Sequence, residues 1–150
     1  MRLGIPYLAC MALVASIYHL PPRVLPSIAI VEGGINGSID HNVNGSDDLG
    51  IMQVNTIWLP ALSRYTGLAT SVVKTRLTNQ PCFNIAAAGA ILRTYLTQDD
   101  GHLMQAVGDY HSHTAPLNHA YQIKVVNAAR RLFASRRSAA PQPARVAADR

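Results

Sequence analysis

The segment from Pro81 to Thr97, PCFNIAAAGAILRTYLT, restricts the fold more than any other part of the sequence. It is rich in Ala and Leu, which have high helix propensity, and it begins with a proline, which suits the first turn of a helix. No stretch of useful length alternates apolar and polar residues with the period of two that is typical of a half-buried strand. The segment predicts a helix, and the chain as a whole predicts a mainly α fold.

Further helices are predicted from apolar spacing and from glycine or proline at the segment ends. The predicted ranges are 7–20, 24–32, 54–67, 102–110 and 117–133. Residues 69–78 predict a short helix or a turn, and residues 33–49, which are rich in Gly, Asn, Asp and Ser, predict a loop. Gly33 and Gly34 are expected to end the second helix.

The net charge of +5 belongs to the C-terminal end of the chain and not to its body. Residues 1–129 carry seven Lys/Arg and seven Asp/Glu, whereas residues 130–150 carry six Arg and one Asp. A neutral body without interleaved aromatic residues argues against a nucleic-acid binder. With 49% hydrophobic residues among 150, we expect one domain over residues 7–134 and a basic, disordered Ala/Pro/Arg-rich tail over residues 135–150.

Glu32 is the only glutamate among the eight acidic residues, and it directly follows the apolar run of residues 28–31. Burial in apolar surroundings raises the pKa of a carboxyl group, because it disfavours the charged form. A carboxyl group that stays protonated near neutral pH can donate a proton to a glycosidic oxygen. Glu32 is therefore a candidate catalytic acid. The alternative is a glutamate at a helix end that points to solvent.

The segment DLGIMQVNTIWLPAL, residues 48–62, places the uncharged amides of Gln53 and Asn55 among apolar residues. Amide side chains both donate and accept hydrogen bonds, which suits sugar hydroxyl and N-acetyl groups. Trp58 fits either a sugar-stacking role or a place in the core. The segment is a candidate substrate-binding region, and the alternative is a loop that leads into a core helix.

Two groups of residues carry side chains that bind metals in other proteins. DHNVNGSDD, residues 40–48, matches the first half of a calcium loop, but Ile51 stands where such a loop needs a bidentate glutamate. We interpret this segment as a tight Asn/Gly turn. His111, His113 and His119 lie close together but lack carboxylate or thiolate partners at helical spacing. We interpret them as a polar rim and predict no metal site and no cofactor.

Cys10 and Cys82 are the only cysteines. They form either a disulfide, which requires an oxidising compartment, or two separate buried thiols. The first 19 residues contain the basic, apolar and small residues of a signal peptide, but they also fit a first helix. Their apolar part is too short to span a bilayer as a helix. Composition and spacing leave both questions open.

Four blocks, taken in order along the chain, resemble the lytic transglycosylase family. They are Glu32 with the polar loop after it, DLGIMQVNTIWLPAL, PCFNIAAAGAILRTYL, and AVGDYHSHT with Tyr121 beyond. The corresponding family blocks are Glu-Ser-Gly, Gly-Leu-Met-Gln-Ile-Asn, Pro-Cys-Asn-Ile and Ala-Tyr-Asn-Ala-Gly. The resemblance covers about residues 7–133 and is closest to the small single-domain enzymes of secretion, conjugation and pilus machines. It implies an all-α, goose-type lysozyme-like fold.

The resemblance also implies a reaction and a set of site residues. Glu32 falls on the catalytic acid/base, which cleaves the β-1,4 bond between N-acetylmuramic acid and N-acetylglucosamine in peptidoglycan and leaves a 1,6-anhydro product. The matched blocks, together with the amide chemistry above, give the expected substrate-binding residues. These are Gly50, Met52 and Gln53 in the block that lines the family's cleft, Asn55, Tyr110 at the position of the tyrosine near the acid, and His111.

Two departures from the family pattern concern the substrate side. Gly33 stands in place of the serine after the acid, which removes a hydroxyl group there. His111 stands in place of an asparagine, and histidine titrates near pH 6.5. We expect these changes to affect rate and substrate preference rather than the class of reaction.

The family register also gives an expectation for the N-terminal segment. In the family, a cysteine about as far upstream of the acid as Cys10 bonds to the cysteine of Pro-Cys. The resemblance therefore implies a Cys10–Cys82 disulfide and a folded helix over residues 7–20, and no export signal is then evident. It also implies the periplasm or cell envelope of a bacterium, with peptidoglycan strands as ligand and secretion, conjugation or pilus components as partners. We expect a monomer without a stable membrane span.

Two other functions fit the same residues. A lysozyme-like muramidase would use water and leave a reducing end, so its product would be heavier by one water than the anhydro product. An inactive peptidoglycan-binding component of a secretion apparatus would keep the fold without the chemistry. A Glu32→Gln variant with an unchanged biological effect would support this last reading.

Overall fold

The computed structural model describes residues 5–134, in which seven α-helices and one small sheet build the fold. The helices are α1 Leu8–Ile17, α2 Val24–Glu32, α3 Leu59–Thr66, α4 Thr70–Asn79, α5 Pro81–Gln98, α6 Leu103–His111 and α7 Ala115–Ala134. The strands are β1 Ile39–His41, β2 Asp47–Leu49 and β3 Val54–Asn55, and a 3₁₀ turn, Thr56–Trp58, leads into α3. The predicted tail, residues 135–150, lies outside the described residues.

Helix α5 is the central element of the core. It contacts α1, α4 and α6, and its side chains Ile85, Ala88 and Leu92 are fully buried. Its proline lies at the first turn, where the missing N–H has no helical partner to lose. The structure confirms the mainly α prediction and the predicted helix over residues 81–97.

The predicted helices that flank the site are also observed, with small differences at their ends. Residues 24–32 form α2, and Gly33 ends it in the left-handed conformation at φ 62°, as expected for a C-terminal glycine. The ranges predicted as 102–110 and 117–133 correspond to α6 and α7. Glu32 is therefore the last residue of α2.

The prediction that residues 33–49 form a loop without strands is wrong in part. β1 and β2 pair antiparallel, Asp40 opposite Asp48, and β2 pairs in turn with β3. These strands are two or three residues long and carry Asp, His and Asn, so backbone pairing forms them without any apolar alternation. The predicted Asn/Gly turn is present between β1 and β2, where the N–H of Gly45 donates to the carbonyl of Asn42 over 3.0 Å.

One helix prediction also needs correction. The helix predicted over residues 54–67 begins only at Leu59, because the Asn55 side chain accepts the N–H of Ile57 over 2.9 Å and holds the chain in a 3₁₀ turn. Residues 69–78 were predicted as a short helix or a turn, and the structure confirms the helix, because residues 70–78 lie in the ten-residue helix α4.

Helix α1 is part of the domain, and it covers residues 8–17 of the range 7–20 for which the family register implied a helix. Its inner face buries Met11 and Val14, and it packs closely on α5, where a Cβ atom at Gly89 would collide with the Val14 side chain. Cys10 and Cys82 form a disulfide with their Cα atoms 5.5 Å apart, and it joins α1 to the first turn of α5. Among residues 5–134, no helix has both the length and the hydropathy to cross a membrane.

The Cys10–Cys82 disulfide is expected to stabilise the domain strongly, because it closes a loop with a sequence separation of 72 residues. Removing both cysteines, as Cys10→Ser/Cys82→Ser, should lower the free energy of unfolding by about 4 kcal/mol on the chain-entropy model. Urea unfolding followed by circular dichroism measures the change.

A reductant provides the control for this prediction. It should destabilise the wild type by a similar amount and leave the double variant unaffected. Equal stability of the two proteins without reductant, or full labelling of thiols in the unreduced wild type, would contradict the prediction.

Candidate active site

A cleft of about 400 Å³ lies between the small sheet and the end of α6. Its lining includes Glu32 and two groups of polar side chains from these two sides. The sheet side contributes Asp48, Gln53 and Asn55, and the α6 side contributes Tyr110, His111 and His113. We call it the Glu32 cleft, because Glu32 is the residue whose chemistry the sequence singled out.

The Glu32 carboxyl group has a specific hydrogen-bond partner. The hydroxyl of Tyr121, on α7, donates to Glu32 Oε1 over 2.6 Å. Tyr121 is only 4% exposed, and burial is the largest of the effects that raise the pKa of its hydroxyl. It therefore stays protonated and donates. The bond occupies one carboxyl oxygen of Glu32.

Burial raises the pKa of Glu32 from 4.5 to about 6. The negative charge of Asp48 contributes in the same direction, while the Tyr121 hydrogen bond and the positive charge of Lys124 lower the pKa. The effect of burial is the largest, because removing the carboxylate from water costs more free energy than a single hydrogen bond recovers. A pKa near 6 leaves Glu32 about half protonated at pH 6 and about one tenth protonated at pH 7.

The two tyrosines next to Glu32 have different partners. The resemblance placed Tyr110 near the acid, and the Glu32 charge is indeed close enough to raise the pKa of Tyr110, although burial raises it more. The Tyr110 hydroxyl, however, donates to the carbonyl of Met52 over 2.7 Å. The direct partner of Glu32 is Tyr121, to which the sequence gave no role because the contact joins residues 89 positions apart.

His111 lines the cleft and packs on the buried Tyr121. Its ring stacks on the Tyr121 ring with centroids 4.9 Å apart and planes at 7°. The histidine that replaces the family asparagine therefore lies against the residue that bonds to Glu32, and it lines the cleft.

The predicted site residues Gly50 and Met52 do not line the Glu32 cleft. Both are buried beneath it, Met52 at 0% exposure. Gly50 has φ 63°, and a Cβ atom there would collide with the carbonyl of Leu77. Gly34 meets the same segment, because a Cβ atom on it would overlap the backbone of Gly50 and Ile51. Because these glycines have no side chain, the backbone of the loop after Glu32 packs directly against the backbone of residues 50–53.

Asn84 holds the 50–53 segment in place, and the sequence did not identify it. Its side chain is fully buried and accepts the N–H of Met52 over 2.9 Å. Its Nδ2 atom donates to the carbonyls of Leu49 and Leu77 over 2.7 and 2.8 Å. One amide thus joins α5 to the end of β2 and to α4. A polar residue inside an apolar helix was the available signal.

Gln53 and Asn55, both predicted to bind substrate, do line the cleft. Gln53 adopts φ 53° and donates from Nε2 to the carbonyl of Gly50 over 3.0 Å. Asn55 donates to Asp48 Oδ1 over 2.8 Å, which fixes this second carboxylate on the cleft wall.

The lining of the cleft also includes a row of aromatic rings, those of Trp58, Tyr95 and His113. Tyr95 contacts Trp58 and His113 edge to face, with centroids 5.6 and 5.2 Å apart. His113 pairs with Asp109 at 3.0 Å. Within residues 5–134, no group of three or more His, Cys, Asp or Glu is arranged to hold a metal ion.

The helical architecture and the cleft define the chain as a lysozyme-like domain. The chain belongs to the transglycosylase SLT domain family, whose model matches residues 10–131. This membership places it in the lytic transglycosylase family and implies peptidoglycan as the ligand.

The chain is similar to several curated proteins. Protein IpgF of Shigella sonnei is 32% identical over 124 residues, which are 80% of this chain and 78% of that protein. Protein IpgF of Shigella flexneri is 32% identical over 71% of this chain and 67% of that protein. Invasion protein IagB of Salmonella typhimurium strain SL1344 is 28% identical over 71% of this chain and 64% of that protein.

Substitution of Asn84 should destabilise the fold strongly, although it removes only one small side chain. Asn84→Ala leaves the N–H of Met52 and two carbonyl groups without their partners in a buried place. We expect the free energy of unfolding to fall by about 3 kcal/mol or more. Asn79→Ala is the matched control, because Asn79 is exposed and donates only to the carbonyl of Thr75. Urea unfolding that gave both variants the same small loss would contradict the assigned role.

The pKa of Glu32 can be measured directly, because Glu32 is the only glutamate in the chain. Selective ¹³C labelling of glutamate gives one side-chain carboxyl resonance, and its pH titration should give a pKa of about 6 in the wild type. Tyr121→Phe removes the hydrogen bond that favours the carboxylate and should raise the pKa further. Tyr7→Phe, at an exposed tyrosine that neither lines the cleft nor contributes to the pKa of Glu32, should leave it unchanged. An unchanged or lower pKa in Tyr121→Phe would refute the assignment.

Proposed function

We propose that the protein is a peptidoglycan lytic transglycosylase, a glycan-cleaving lyase in which Glu32 is the acid and then the base. The observation that carries this proposal is the state of Glu32. It is a half-buried carboxyl group on the wall of a polar cleft, with its pKa raised to about 6 and one oxygen held by Tyr121. Membership of the SLT domain family supports the same reaction class.

The proposed reaction needs one protein carboxyl group. Protonated Glu32 donates its proton to the oxygen of the β-1,4 bond between N-acetylmuramic acid and N-acetylglucosamine, and the C1–O bond breaks. The N-acetyl group of the muramic acid assists at C1. The Glu32 carboxylate then takes the proton from the O6 hydroxyl, and O6 bonds to C1 to close the 1,6-anhydro ring. Glu32 ends protonated as it began, and no water is consumed.

The surroundings of Glu32 suit both steps. Burial keeps a fraction of the group protonated for the first step. The Tyr121 hydroxyl stabilises the carboxylate that the first step produces, because it donates to Oε1. Oε2 has no such bond to Tyr121, and we assign the proton transfers to it. Gln53, Asn55 and His111 line the same cleft and are proposed to bind sugar hydroxyl and acetamido groups.

Hydrolysis is the second candidate, and the position of Asp48 favours it. Asp48 lines the cleft, and its charge raises the pKa of Glu32, so a second carboxylate lies near the acid. A paired acid and carboxylate is the usual arrangement of glycoside hydrolases, in which the carboxylate activates a water molecule. In this mechanism Asp48 would be the base and the product would have a reducing end.

We propose the bacterial periplasm or envelope as the location and a secretion, conjugation or pilus apparatus as the partner. The disulfide supports an oxidising compartment. Similarity to a protein named for invasion supports a link to a machine at the cell surface. For the peptidoglycan-cleaving unit itself we propose residues 7–134, acting as a monomer.

Mass spectrometry of the fragments released from purified peptidoglycan tests the reaction. We expect 1,6-anhydro muropeptides from the wild type, with a rate that falls as the pH rises above about 6, because the protonated fraction of Glu32 then falls. Glu32→Gln should lower the rate at least about a hundredfold, since general acid–base catalysis contributes that much or more.

Two further variants distinguish the candidates in the same assay. Asp40→Asn is the matched control, because this exposed carboxylate on β1 lies outside the lining of the cleft. Products heavier by one water, lost in Asp48→Asn, would replace the lyase with a hydrolase. No release by the wild type between pH 4 and 8 would favour an inactive peptidoglycan-binding component.

A further inference from the structure

A second pocket adjoins the Glu32 cleft. It encloses about 400 Å³ between the end of α1, the start of α3 and the middle of α5, and Trp58 and Ile91 line both cavities. Three aromatic rings form much of its wall, those of Tyr18, Trp58 and Tyr65. We call it the tyrosine pocket. Because the two cavities share two lining residues, they are neighbours, and a branch of a ligand bound in the cleft lies close to the pocket.

The tyrosine pocket presents aromatic surface to solvent. Tyr65 is 70% exposed, and its hydroxyl lies 3.2 Å from that of Tyr18. Burial and the neighbouring Tyr65 raise the pKa of Tyr18 to about 12, so its hydroxyl is neutral at physiological pH. Ala61 and Ala90 leave room between the rings. Exposed aromatic faces bordering a concave space are typical of a ligand surface.

Arg93 gives the tyrosine pocket a fixed positive charge. Its Nε and Nη2 atoms donate to the carbonyls of Tyr18 and His19 over 2.9 and 3.0 Å, which anchors the guanidinium at the pocket wall. These bonds use two of its five N–H donors. The ion pairs found in residues 5–134 do not include Arg93, and no acidic residue lines the pocket. The charge therefore lacks a carboxylate partner within the part of the chain described.

We propose that the tyrosine pocket binds the carboxylate-bearing peptide attached to the muramic acid of a peptidoglycan strand held in the Glu32 cleft. This inference rests on the proposed function, because it assigns the branch of the same substrate. The free donors of Arg93 bind a peptide carboxylate through charge-assisted hydrogen bonds. The rings of Trp58 and Tyr65 pack against the peptide backbone and its short apolar side chains.

A sugar ring is the other occupant that suits aromatic faces. N-acetylglucosamine has no charged group, and the lactyl carboxyl group of a peptide-bearing N-acetylmuramic acid is an uncharged amide, whereas the peptide of peptidoglycan ends in a carboxylate. The anchored and unpaired charge of Arg93 therefore favours the peptide. A sugar in the pocket is one outcome of the test below, and it would overturn the proposal.

Trp58 provides the readout, because it is the only tryptophan in the chain and lines the tyrosine pocket. The Glu32→Gln protein is titrated with an N-acetylglucosamine–N-acetylmuramic acid disaccharide that carries the peptide and with the same disaccharide whose lactyl carboxyl group is capped as a methylamide, so that the second ligand has no carboxylate. We expect the peptide-bearing ligand to bind at least about tenfold more tightly, the factor that one charge-assisted hydrogen bond gives. Equal affinity for the two ligands would overturn the proposal.

Three variants show where the preference arises. Arg93→Gln and Tyr65→Ala should each reduce the preference to less than about threefold, and Tyr65 is exposed enough for its loss to leave the fold intact. Arg64→Gln, at an exposed arginine next to Tyr65 that does not line the pocket, should keep the full preference. A preference that survives both pocket substitutions would overturn the proposal.

The test separates this inference from the proposed reaction. The affinity ratio is measured on a protein that lacks the catalytic carboxyl group, so it does not depend on turnover. Cleavage of glycan strands from which the peptides have been removed reports on the Glu32 cleft alone. Cleavage of these strands combined with equal binding of the two disaccharides would leave the proposed function standing and refute the peptide site. Failure of both disaccharides to bind at millimolar concentration would also refute it.

Discussion

The hydrogen bonds of the Asn84 side chain are the interaction on which the arrangement of the site depends. This one buried amide binds the backbone at Leu49, Met52 and Leu77, so α5 holds β2, the 50–53 segment and α4 in one register. A buried amide is costly unless each of its groups is paired, and here the pairing is met by backbone atoms that only the correct arrangement brings together. The Met52 carbonyl in turn accepts the Tyr110 hydroxyl. The position of the cleft wall thus follows from the core.

Burial of Glu32 has a cost that the rest of the domain offsets. Its pKa rises from 4.5 to about 6 on folding, so the folded protein holds this proton more tightly than the unfolded chain does. Stability is therefore lost as the pH rises through this interval, because ionisation must occur within the fold. One and a half pKa units correspond to about 2 kcal/mol, which is small beside the core packing around α5. The packing of the helical core therefore stabilises the fold enough to tolerate the cost of burying this carboxyl group at the cleft.

The sequence predicted those features that depend on local pattern. Helix α5, the end of α2 at Gly33 and the unusual character of Glu32 each follow from neighbouring residues. The three strands escaped prediction because backbone pairing forms them, with side chains that carry no alternation. Tyr121 received no role because it meets Glu32 from 89 positions away. Gly50 and Met52 were expected on the cleft surface but lie beneath it. Gly50 is needed for close backbone approach, and Met52 is needed for core packing. A match to a family motif does not distinguish these structural roles from contact with a ligand.

The opposing effects on Glu32 explain why one carboxyl group can serve in both halves of the proposed reaction. Burial alone would favour the acid, and the Tyr121 bond alone would favour the carboxylate. A group that must give up a proton and then accept one works best when neither form is strongly favoured, which requires a pKa near the working pH. Gly33 is compatible with this balance, since it ends α2 at positive φ and places no side chain near the acid. The ring of His111 stacks on Tyr121, whose hydrogen bond to Glu32 favours the carboxylate, so the residue that replaces the family asparagine lies directly behind this contact.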